Sequence, residues 1–170
     1  MKLSWMKIAA SVVFFLFLVW AWPNLVHEPA HWLALQVQGS HGDIYPDWRE
    51  PFMTDRSPHV TRTAPVAGVV GGIFFMLAPH LVSLAILSVA WLTRRRASLF
   101  THLVLPFYLV MDILVNLMSY KNAVSDFHFL VLVPGWASLV VMAVVTLGGC
   151  ALVARLWSAY SASASAGAVS

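Results

Sequence analysis

The chain has 170 residues, of which 60% are hydrophobic and 10% charged, against roughly a quarter charged in an average globular domain. That balance excludes an ordinary soluble domain, and a formal net charge of +3 is too small and too dispersed for a nucleic-acid-binding surface. A lone cysteine, Cys150, inside an apolar run excludes both a disulfide framework and a cysteine metal site.

The first apolar run covers about residues 5–24 and continues through 38. Three more cover 65–92, 98–119 and 128–155. At ~1.5 Å per residue each is long enough to cross a hydrocarbon core of ~30 Å. The expected architecture is an all-α integral membrane protein of about four transmembrane helices, a single domain over residues 1–156, with a disordered tail over 157–170. Lys2 and Lys7 precede the first run and admit a signal peptide as the alternative, but no clear A-x-A cleavage site follows.

Between the first and second runs lies the one sizeable polar stretch, about Gln38 to Ala64, with three prolines and mixed charges. It is expected to form an irregular loop or short hairpin, with Tyr45, Trp48 and Phe52 at headgroup depth. The later segments are joined by Arg94, Arg95 and Arg96, which with Lys2, Lys7 and Arg155 set six basic residues on one side. Arg49, Arg56, Arg62 and Lys121 fall on the other. The positive-inside rule then puts both termini in the cytoplasm, in a multi-pass protein of the cell membrane. Gly68 and Gly72 have the spacing of a helix-packing pair.

His27, Glu28 and His31 at the end of the first run form HExxH in the stretch NLVHEPAHW. On a helix, residues four apart share a face, so both imidazoles can point at one ion with the glutamate beside them. Zinc hydrolysis needs that set: two neutral nitrogen ligands and a carboxylate able to take a proton from water. Pro29 interrupts the motif. A kink is expected, eased if the chain breaks at Trp22-Pro23 and restarts with Asn24 as N-cap.

Two histidines leave zinc undersaturated. A third histidine in the extended motif fails, because Ala34 and Val37 stand where a glycine and a histidine are needed. Glu50 lies in a polar loop, which leaves Asp112 and Asp126 as the carboxylates near the membrane. Asp112 also suits a plain structural role, paired with Asn116 one turn on. His41, His59 and His128 read as solvated or supporting residues, and His80 and His102 as interfacial residues on the side of Arg94 to Arg96.

HEPAHWLALQVQG, the small-residue stretch APVAGVVGG (Ala64 to Gly72) and NLMSYKNAVSDFHFL (Asn116 to Leu130) together resemble the site-2 proteases, intramembrane zinc metalloproteases. That likeness runs from Leu25 to Leu130. It implies zinc held by His27, His31 and Asp126, with Asp112 as the alternative third ligand, and Glu28 as the catalytic carboxylate. Asn116 would border the site, with Asp112 contacting substrate or supporting a ligand. The substrate would be a membrane protein cut in or beside a transmembrane segment. Ser119 and Phe127 depart from the family's proline and glycine, and Ala30 from its frequent glycine. Two other readings stand: a zinc-binding membrane regulator without turnover, and a structural membrane protein in which HExxH is accidental.

Overall fold

The computed structural model describes residues 5–45, 59–62, 68–93 and 98–166. Trp48, Glu50, Phe52 and Arg94 to Arg96 lie outside the described residues. Among those described, four helices are long and apolar enough to cross a membrane: Trp5–Val37, Gly68–Leu92, Phe100–Met118 and Gly135–Ala162. Their surfaces expose Val13, Leu84, Val115, Leu139 and Leu147, which is stable where lipid rather than water is the solvent and backbone groups bond within the segment. The chain is an all-α four-helix membrane protein. It forms two compact units, one of 17–84 and one of 1–16 with 85–170.

The first helix does not break at its prolines. α1 (Trp5–Trp22) passes through a π turn, Pro23–His27, directly into α2 (Glu28–Val37). Trp22 and Glu28 both keep right-handed helical backbone, and the Glu28 amide donates to the Pro23 carbonyl. Widening the turn by one residue shifts the bonding register just before Pro29, which has no amide hydrogen to give. Asn24 is therefore not an N-cap: its side-chain amide donates to the Trp20 carbonyl at 3.3 Å.

In unit 17–84, α2 ends in a Schellman cap. Gly39 has φ +69°, its amide donates to the Gln36 carbonyl, and the Ser40 amide donates to that of Leu35, both at 3.0 Å. The polar stretch then forms an antiparallel pair, β1 (Gly42–Tyr45) and β2 (His59–Arg62), in the register Gly42 opposite Arg62 and Tyr45 opposite His59. Both strands pack on α2. A Cβ on Gly42 would meet the Thr61 carbonyl and Leu35 Cδ1, so the glycine lets the strand close over the fully buried Leu35. α3 (Gly68–Leu92) starts from Gly68 at φ +67° with open space where a Cβ would stand. Gly68 thus serves the helix entry, rather than the packing face its spacing suggested. The packing face is alanine: Ala30 and Ala34 of α2 meet Ala78 of α3, with Val82 alongside. Small side chains there let the backbones approach closely.

In the other unit, a second π turn, Phe100–Val104, leads into α4 (Leu105–Met118), and the Leu105 amide donates to the Phe100 carbonyl just before Pro106. Leu99, Val104 and Tyr160 form a buried cluster against Phe14, Phe15 and Leu103, and the Phe14 and Phe100 rings meet edge to face at 5.5 Å. The last helix, α5 (Gly135–Ala166), differs from expectation at both ends. Residues 128–132 form a 3-10 turn instead, because Pro134 forces Val133 into extended backbone (φ −108°, ψ 159°). The helix starts immediately after that proline, with the Ala137 and Ser138 amides bonded to the Pro134 carbonyl. At its far end the stretch expected to be disordered stays helical to Ala166. Alanine has the highest helix propensity, and extending an existing helix needs no new nucleus. Ser158 and Ser165 donate to carbonyls one turn back.

Candidate metal centre

His27 closes the π turn and His31 stands one turn on, in α2. Continuous helix places their rings on one face, with centroids 5.1 Å apart and planes at 75°. His27 and Glu28 are half-buried and His31 is buried. The motif survives Pro29 because the register shift falls before it.

One hydrogen bond settles the chemistry of His31. Its Nδ1 lies 2.7 Å from the Phe75 carbonyl oxygen. A carbonyl only accepts, so Nδ1 carries a proton, and in the neutral ring Nε2 is the nitrogen with the lone pair. Donation of the second ring N–H to a carbonyl is the arrangement usual for metal-binding histidines. The Phe75 ring also lies against the imidazole, centroids 4.7 Å apart.

His80 departs from the interfacial position expected for it on the side of Arg94 to Arg96. It is buried, 3% exposed, with its ring edge-on to His27 at 5.7 Å, so it belongs beside the HExxH pair and not at an interface. Helical phase gives no hint of this: Phe75, Ala78 and Val82 mark the face of α3 toward α2, and at 3.6 residues per turn His80 falls on a different face. His102 is buried too, with Nε2 3.1 Å from both the Thr93 hydroxyl and the Thr93 carbonyl, and it accepts from the Ser98 amide. It ties Thr93, at the end of α3, to Ser98 and the π turn that follows.

Asp126 sits in a run of turns after α4 and is 8% exposed. Its neighbours fix it. The Ser125 hydroxyl donates to the Asn116 carbonyl at 2.6 Å and accepts from the Phe127 amide at 3.2 Å. His128 Nδ1 donates to the Tyr120 carbonyl at 3.1 Å, and the His128 amide donates to the Ser125 carbonyl. Asn116 thus contributes through its backbone as well as its side chain. Its amide group donates to the Asp112 backbone carbonyl at 3.2 Å, not to the Asp112 carboxylate. Asp112 itself is half-buried in α4.

Within the unit 17–84, His27 and His31 offer two ring nitrogens from one helix face, and Asp126 offers a carboxylate in the other unit. Of the other histidines, His41 is exposed and His59 stacks on Tyr45 across the strand pair at 5.2 Å. Comparisons with protein-family models, curated proteins and solved structures return no match.

Proposed function

We propose that the protein is an intramembrane zinc metalloprotease of the site-2 protease kind, cutting a membrane protein in or beside a transmembrane segment. The observation that carries this reading is the HExxH helix with His31 held as the Nδ1–H tautomer by the Phe75 carbonyl. Two imidazoles and one carboxylate fit zinc, whose catalytic sites keep three protein ligands and one open position. His27, His31 and Asp126 would hold it, leaving Asp112 on α4 to support a ligand or meet substrate. When bound, zinc acts as a Lewis acid that lowers the pKa of water and polarises a carbonyl.

Glu28 supplies the proton transfers. Its carboxylate takes a proton from the attacking water and returns it to the departing amine. The helix carries it one position after His27, beside the metal face rather than on it. A helical substrate shields its peptide bonds, so it must unwind locally, and the β1 and β2 pair offers strand edges for an extended segment.

Glu28→Gln tests the reading. Glutamine keeps shape and hydrogen bonding but cannot accept the proton, so zinc content and fold should persist while cleavage of a membrane substrate falls by about 10² to 10⁴. Full cleavage by that variant would exclude the mechanism.

A further inference from the structure

Helix α3 contains one internal proline, Pro79, four residues after Phe75. An ordinary residue at 79 would donate its amide hydrogen to the Phe75 carbonyl, and a proline has none to give. Pro29 and Pro106, in the first turns of α2 and α4, follow π turns, where the bonding register has already shifted. Around Pro79 the helix is α throughout, with no such turn. Its lost bond therefore leaves a specific carbonyl, that of half-buried Phe75, without its helical donor, and a backbone acceptor in a membrane-spanning segment takes another donor where one is in reach. The donor is His31 Nδ1 at 2.7 Å. Ala30, Ala34 and Ala78 bring the two backbones close enough for that reach.

We propose that Pro79 is a positioning residue for the metal centre. By emptying the Phe75 carbonyl it fixes the proton of His31 on Nδ1 and presents Nε2 as the ligand atom. This rests on the reading of His31 as a zinc ligand. The proline acts at a distance from the metal: it touches neither ion nor substrate, and works through one backbone oxygen and one ring. His80, next in sequence, stands against the ring of His27, so the Pro79-His80 pair serves both histidines of the motif.

The test is Pro79→Ala in the full chain, purified in detergent. Alanine is the best helix former, so the variant restores the amide donor without disfavouring the helix. Zinc affinity, read by competition with a chromogenic chelator, should fall by about 10 to 100-fold, the usual cost of losing a ligand's supporting hydrogen bond. In the metal-free protein, ¹⁵N imidazole shifts assigned by their loss in His31→Ala should show the Nδ1–H tautomer in the wild type and a mixture in Pro79→Ala. Pro106→Ala, which alters a proline behind a π turn, should leave both measurements unchanged. Wild-type zinc affinity together with an unchanged His31 tautomer in Pro79→Ala would overturn the proposal. Absence of zinc from the wild type would instead defeat the metal reading, while the tautomer comparison would still decide the role of Pro79.

Discussion

The segment carrying His27 and His31 and the turn carrying Asp126 hold their side chains by different means. On α2 the regular backbone does most of the work: four-residue spacing aligns the rings, and a single hydrogen bond sets the tautomer of His31. Around Asp126 no repeating backbone exists, and a serine hydroxyl and a histidine ring hold the chain by bonding to carbonyls near the end of α4. A ligand on a helix inherits its geometry from spacing. A ligand on a turn needs a dedicated network, so damage to neighbours should reach Asp126 more readily than it reaches His31.

The largest effect that sharpens this contrast comes from the carboxylates themselves. Asp126→Ala should strip most of the zinc, while Asp112→Ala, altering the carboxylate assigned a supporting role, should cost no more than about 10 to 100-fold in affinity. Metal analysis of the two variants side by side gives the order, and a reversal would move the third ligand to α4.

A smaller effect is expected from Ser125→Ala. Removing the hydroxyl deletes the bonds to the Asn116 carbonyl and from the Phe127 amide, in a residue only 5% exposed. Unfolding stability should drop by about 1–3 kcal/mol, and zinc affinity should drop with it. Thermal unfolding and chelator competition measure the two. Unchanged zinc affinity in this variant would mean that the turn holds Asp126 without the serine.

The smallest effect is expected at the end of α2. Gly39→Ala forces a side chain into the left-handed region at φ +69°, costing about 1 kcal/mol of stability. Zinc affinity should not change, because His31 lies two turns back within intact helix. A loss of zinc binding there would show that the helix does not insulate its ligands, and the contrast with the turn would fail.

The same difference explains what was legible in the sequence. Apolar runs and the HExxH spacing translate directly into helix and shared face, and the polar stretch did become a hairpin at Gly42–Tyr45 and His59–Arg62. The π turns were not legible, because a proline in a helical run signals a break equally well, and only the register of Glu28 and Leu105 distinguishes a wide turn from one. Pro134 did carry a readable signal for the start of α5, obscured by the apolar residues 128–133 ahead of it. His80 was missed because distance along the chain says nothing about two helices brought together by Ala30, Ala34 and Ala78. The bond from Asn116 to the Asp112 backbone likewise replaces a side-chain pairing that spacing alone suggested.

The most direct test of the zinc centre is metal analysis of the purified wild-type chain beside His31→Ala. The expected result is about one zinc per wild-type chain and close to none in the variant. No zinc in the wild type, or equal zinc in both, would contradict the assignment of His27, His31 and Asp126 as a metal site.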